Sequence, residues 1–148
     1  LIKRVCTGYA NIGTITAIYS VLSYGDDVTS DPIVDTSRAI LDGHIILSRS
    51  QAAQGIYPAV DLTLSISRVM KDLITGDKLT KVNRLRALIS TYYENRDLLM
   101  MGGYAEGQNE DLDIAIKLWP KINKLLKQDL NERSSLEDSF HKLAEIIK

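Results

Sequence analysis

One cysteine in 148 residues leaves this chain without an internal disulfide framework, and a lone Cys6 fits a reducing compartment. No apolar run approaches the roughly 18 residues that a bilayer-spanning helix needs. Neither sign of charge dominates: 18 Lys and Arg face 19 Asp and Glu, so no net field draws the whole molecule to nucleic acid or acidic lipid. The two histidines, His44 and His141, stand apart, and with a single Cys they give no metal-ligand spacing. His44 follows a turn glycine and reads as a packed or capped side chain. The first residues, Leu1-Ile2-Lys3-Arg4, have neither an initiator Met nor the apolar core of a signal peptide, and read as the middle of a longer chain. Internal repeats and low-complexity segments are absent. One resemblance to a ligand loop also fails: Gly8-Tyr9-Ala10-Asn11-Ile12-Gly13 has the glycine spacing of a phosphate loop but not its Lys-Ser/Thr pair. Without that Lys nothing neutralises the phosphates, and without the hydroxyl nothing holds magnesium, so the segment reads as a flexible loop before a strand.

What is present is ordinary globular material, 45% apolar and 25% charged, enough for one domain with a core or two small pieces. Residues 1–72 are α/β in character. Thr14 to Ser23, rich in β-branched and aromatic residues, suits a central strand with apolar groups on both faces. Tyr24-Gly25-Asp26-Asp27 is turn chemistry. Asp31-Pro32 starts a helix, with Asp31 as cap, and Ile33, Val34, Ser37, Ile40 and Leu41 carry its spacing up to Gly43. Ile45 to Leu47 is a short buried strand, Ser48 caps a helix over Arg49 to Gln54, and Gly55 ends it. Pro58 forces Tyr57 into an extended exit.

Composition shifts after Met70 toward Leu, Lys, Glu and Asp, placing a boundary near 70–77, so that residues 73–148 form a helical domain. Leu85, Leu88, Ile89 and Tyr92 make a first stripe, closed by Met101-Gly102-Gly103. Ala115, Leu118, Trp119, Ile122, Leu125 and Leu126 make a second, in which Pro120 should kink the helix or delay its regular start. Ser134-Ser135-Leu136-Glu137 has capping-box spacing before a third stripe, Leu136, Phe140, Leu143 and Ile147. The pattern is a three-helix bundle with short loops.

From the residues alone the chemistry stays open. Tyr57 and Arg68 flank an Asp and fit either a site or packing; Arg68 suits a structural ion pair and Tyr57 a half-buried strand aromatic. Asp26, Asp27 and Asp31 are explained by turn and cap roles. Glu106, Glu110, Asp111 and Asp113 form an acidic tip between two helices, which is ordinarily a solvated loop.

Several ordered words carry a resemblance over nearly the whole chain. Asp42-Gly43-His44-Ile45-Ile46-Leu47-Ser48-Arg49, Gly55-Ile56-Tyr57-Pro58-Ala59-Val60-Asp61 and Ser65-Ile66-Ser67-Arg68-Val69-Met70 resemble the C-terminal third of the catalytic subunit of rotary-type ATPases. Gly13 to Tyr19, Gly25-Asp26-Asp27 and Asp31-Pro32-Ile33 resemble most the ATPases of type III protein secretion, flagellar or virulence-associated. The resemblance implies the α/β C-terminal part of a RecA-like nucleotide-binding domain followed by an all-α three-helix-type C-terminal domain. It implies a parent that hydrolyses ATP with Mg2+ as a hexamer at the inner face of the cytoplasmic membrane, energising export of protein substrates. In that family Arg68 matches an arginine finger reaching the neighbour's γ-phosphate, and Tyr57 packs on the subunit's own adenine. The catalytic carboxylate and phosphate loop lie upstream, so this piece alone is expected to be inactive. The acidic tip, Glu106, Glu110 and Asp111, corresponds to a region facing a coiled-coil stalk. Regulatory and export-gate proteins, secreted substrates and chaperones are the other implied partners, with no nucleic acid. The rival readings are a synthase-type or vacuolar-type rotary subunit, and a non-catalytic module that joins a ring and docks a partner helix.

Overall fold

A computed structural model describes residues 13–23 and 31–147. The glycine-spaced loop before Gly13, Cys6 and the turn at Tyr24–Asp27 lie outside the described residues. Contacts divide the chain into two units, Leu1–His44 and Ile45–Lys148.

In the first unit, helix α1 spans Pro32–Ile40. Its start is the expected one. The Asp31 carboxylate accepts from the amides of Ile33 at 2.9 Å and Val34 at 3.4 Å, and Pro32 fills the first turn, where its missing donor costs nothing. The expected strand over Thr14–Ser23 does not form. Thr14 makes an isolated bridge, Ile15 to Ser23 have no regular structure, and Ile18 and Leu22 are 94% and 97% exposed. An interior strand draws its stability from neighbours on both edges and cover on both faces. Among the described residues the sheet has only the two strands that follow, so β-propensity in this segment has nothing to act on.

Strand β1 covers Gly43–Leu47 and pairs with β2, Val60–Ser67. Between them helix α2, Arg49–Ala53, is capped by the Ser48 hydroxyl, which accepts from the Gln51 amide. Gly55, at φ 69°, takes the left-handed turn that ends it. Strand β2 was legible but not anticipated: Val60-Asp61-Leu62-Thr63-Leu64-Ser65-Ile66-Ser67 alternates apolar and polar without a break. Its burial does not follow the alternation. Ser65 is buried, and its hydroxyl accepts from the Ile46 amide at 3.0 Å, while Leu64 and Ile66 are about half exposed.

A short helix α3, Met70–Leu73, leads into α4, Gly76–Glu94. Helix α5, Arg96–Met100, follows after Asn95. Helix α6 spans Glu110–Leu126 and α7 spans Leu136–Ile146. Helices α4, α6 and α7 pack pairwise as a three-helix bundle. Their core is Leu85, Leu88 and Ile89 from α4, Ala115 and Ile122 from α6, and Leu143 and Ile147 at the end of α7. The bundle is tied to the sheet by Arg86, whose guanidinium donates to the Ser65 carbonyl at 2.6 Å, and by Leu62, which packs on the core.

Four details differ from expectation. Ile45 and Leu47 of β1, read as part of a buried strand, are 75% and 71% exposed. The first long helix ends at Glu94, not at the glycines; those close α5, where the Gly103 amide donates to the Leu98 carbonyl at 3.0 Å. A Cβ on Gly103 would sit 2.8 Å from the Leu98 side chain. Pro120 lies inside α6, which begins at Glu110, so the regular start of the helix is not delayed. The capping box is one residue later than read. Ser135 accepts from the Asp138 amide, and Asp138 accepts from the Ser135 amide. The Ser135 hydroxyl and amide also hold the Asp138 carboxyl below its usual range.

Leu88 is 1% exposed in this core, whereas Leu136, read as part of the third stripe, is 72% exposed. Leu88→Ala should therefore destabilise the bundle by about 2–5 kcal/mol. Leu136→Ala should cost no more than about 0.5 kcal/mol. Denaturant unfolding of the two variants checks the contrast.

Candidate functional site

Strand β2 separates the two residues singled out by the sequence. Tyr57 lies in the loop before it and Arg68 in the bend just after it. Eight residues of strand span roughly 26 Å at about 3.3 Å each, so the two side chains sit at opposite ends of one element. Tyr57 is 57% exposed, with its peptide bond to Pro58 in the cis form. Its carbonyl accepts from the Gln128 amide at 2.8 Å, just beyond α6. Arg68 is also exposed. Asp61, the acid between them, is occupied locally: one carboxylate oxygen accepts from the Thr63 amide and hydroxyl and from the Leu64 amide. These bonds hold the start of β2.

The acidic tip resolves into residues with separate duties. Asn109 caps α6 by accepting from the Leu112 amide at 3.1 Å. Glu110, Asp111 and Asp113 lie in its first turn, where the helix dipole favours negative charge. Asp113 is turned back onto the loop. It accepts from the Tyr104 hydroxyl at 2.6 Å and from the Gly107 amide at 2.9 Å. The Tyr104 oxygen also accepts from the Asn109 amide at 3.2 Å. Partial burial and the bond to Asp113 push the Tyr104 phenol above its usual range, so it stays a proton donor. Asp111 pairs with Arg84 of α4 at 2.8 Å. Glu106 and Glu110 are exposed and carry no ion pair among the described residues. Of the three carboxylates assigned to partner binding, the structure thus ties one to its own bundle and presents two to solvent.

Sequence reasoning did not find Gln51, Tyr93, Tyr104 or Gln128. Gln51 is 7% exposed, and its amide donates to the Tyr93 hydroxyl at 2.6 Å. Nothing in a glutamine on a short helix signals a partner 42 positions away. For Tyr104 the Gly102-Gly103-Tyr104 run was the available cue, read only as a loop.

Residues 1–67 match the nucleotide-binding domain of the ATP synthase alpha/beta family, and residues 74–145 match the T3SS EscN ATPase C-terminal domain. The chain is similar to the C-terminal part of the type III secretion ATPases. A "Flagellum-specific ATP synthase" of Salmonella typhimurium is 48% identical over 143 residues, which is 97% of this chain and 31% of that protein. The assembled ATPase EscN from the type III secretion system of enteropathogenic E. coli superposes with a TM-score of 0.86 at 40% identity, over 92% of this chain and 33% of EscN. EscN in complex with its central stalk EscO gives 0.84 at 37%, over 96% of this chain and 33% of that one. The chain thus spans about a third of the length of the relatives it matches. In family terms the fold is the α/β C-terminal part of a RecA-like nucleotide-binding domain followed by the all-α three-helix C-terminal domain.

Proposed function

We propose that this chain is the C-terminal part of an ATP-hydrolysing protein-export ATPase of type III secretion, working as a hexameric ring. Its division falls at 72/73, between nucleotide-binding and helical parts. The observation that carries the reading is the placement of Tyr57 and Arg68 at opposite ends of β2, which suits service to two different nucleotides. Tyr57 packs on the adenine held by its own subunit. An exposed ring suits this role, because a purine face is large and demands no donor pattern; a comparable base contact contributes about 1–3 kcal/mol. Arg68 reaches the γ-phosphate of the neighbouring subunit, where a planar, permanently charged donor matches the charge of the transferring phosphoryl group. ATP and Mg2+ are held by the phosphate loop of the longer protein. No Lys-Ser/Thr phosphate-loop pair stands in these 148 residues, so the chain by itself hydrolyses nothing.

The exposed carboxylates of the tip, Glu106 and Glu110, face a basic coiled-coil stalk and steer its approach; Asp111 contributes mainly by fixing α6 to α4. The solved complex of EscN with its central stalk supports a stalk partner here. Regulatory and export-gate proteins, chaperones and secreted substrates complete the set. Among the described residues no helix is long and apolar enough to cross a membrane; the working place is the cytoplasmic side of the inner membrane, bound peripherally.

In the full-length protein, Arg68→Ala should lower turnover by about 10³–10⁵-fold, the range for arginine fingers, or on the order of 4–7 kcal/mol of transition-state stabilisation. Nucleotide binding should persist. Steady-state turnover beside equilibrium ATP binding checks this, and near-normal turnover would sink the assignment. Glu106→Lys with Glu110→Lys should abolish stimulation by the stalk and leave basal turnover in place. Unchanged stimulation would return the tip to the status of a solvated loop.

A further inference from the structure

Tyr57 offers an exposed ring from a backbone held at neighbouring points on both sides. The Ile56 amide donates to the Gln51 carbonyl at 3.0 Å, the Gln128 amide to the Tyr57 carbonyl at 2.8 Å, and the Ser48 amide to the Ala59 carbonyl at 2.8 Å. Ile56 itself is 4% exposed. The first of these ties leads into the bundle. Gln51 sits on α2, whose five residues are too few to hold a helix without tertiary anchors. The Gln51 side chain donates to the Tyr93 hydroxyl of α4 at 2.6 Å, and its own carbonyl oxygen has no partner among the described residues. The Tyr93 hydroxyl is therefore a side-chain anchor of α2 on the bundle. Tyr93 is fixed in turn by the Trp119 ring of α6, edge-on at 5.4 Å and 85°.

We infer that Tyr93 is a positioning residue for the adenine contact: through Gln51 it sets the turn from which Tyr57 presents its ring. The inference rests on the reading of Tyr57 as that contact. Its physical content is a short chain of packed and hydrogen-bonded groups, Trp119, Tyr93, Gln51 and Ile56, running from the bundle to the residue beside Tyr57. A site built this way owes its geometry to the shell behind it. The helical part then tunes nucleotide affinity without touching nucleotide.

The test uses the full-length ATPase carrying this chain. Tyr93→Phe keeps the ring against Trp119 and removes only the hydroxyl. The expected result is a KM for ATP raised about three- to tenfold with kcat within about twofold, the pattern of binding lost equally from ground state and transition state. Because Tyr93→Phe leaves a buried amide without a partner, a second variant separates position from stability. Gln51→Met combined with Tyr93→Phe makes both partners apolar, which restores stability where single removal loses it; its thermal midpoint should recover while KM stays raised. A wild-type KM in Tyr93→Phe, or a KM that recovers together with the midpoint in the double variant, overturns the inference. Tyr57→Ala run alongside distinguishes the failures. A raised KM there with none in Tyr93→Phe removes the positioning role alone, whereas an unchanged KM in Tyr57→Ala removes the adenine reading and this inference with it.

Discussion

The seam between α4 and α6 is the contact on which the rest of the second unit depends. Tyr92 lies flat on Trp119, with ring centres 3.7 Å apart and planes 9° apart, and Tyr93 meets the same indole edge-on. Ala115, fully buried one turn earlier on α6, leaves room for Leu88 and Ile89 to close beneath. Aromatic pairs in such geometries add about 0.5–1.5 kcal/mol beyond the area they bury. More important here is direction. Because the seam fixes the Tyr93 ring, it fixes the hydroxyl that holds Gln51. Because it fixes α6 along its length, it fixes the capped, acidic end at Glu110 and the exit at Gln128 that bonds Tyr57. One packed interface thus sets the geometry of both proposed contacts, the partner tip and the nucleotide loop.

That arrangement bears on how such an ATPase could use a C-terminal helical domain. On the proposed reading the domain contributes no group to the reacting phosphates. Its part is to hold rigid elements whose ends reach two surfaces. Helix α6, 17 residues long, covers about 26 Å at 1.5 Å per residue. Asp111 to Arg84 and the Tyr104–Asp113 clasp fasten one end, and the Gln128–Tyr57 bond fastens the other. A load on the tip then acts on a helix already tied to the loop before β2.

Much of this was legible in the sequence. The stripes Leu85-Leu88-Ile89-Tyr92 and Ala115-Leu118-Trp119-Ile122 placed α4 and α6 because a 3.6-residue period has few other causes. Caps at Asp31 and Ser48 were readable because a short polar side chain before an apolar period offers a donor-satisfying start. The strand at Thr14–Ser23 failed because a strand, unlike a helix, takes its hydrogen bonds from elsewhere, and local propensity says nothing about whether partners are there. Strand β2 has a complete alternation, Val60-Asp61-Leu62-Thr63-Leu64-Ser65-Ile66-Ser67, and was legible on that ground alone. Those two site residues came from resemblance; the positions of their side chains on an exposed loop and an exposed bend have no signature in composition. The Gln51–Tyr93 tie was invisible for a simpler reason: a side-chain hydrogen bond across 42 positions leaves no periodic trace.

On the proposed reading Tyr57 and Arg68 serve different nucleotides, one in the subunit's own site and one in the neighbour's. Mixed rings assembled from two impaired full-length variants, Tyr57→Ala and Arg68→Ala, test it most directly through ATP turnover at ATP well below KM, where both variants are impaired. An interface pairing an intact tyrosine from one variant with an intact arginine from the other rebuilds a complete site, so the account predicts that the mixture turns over faster than the average of the two variants alone. Turnover equal to or below that average would place both residues in one site and contradict the account.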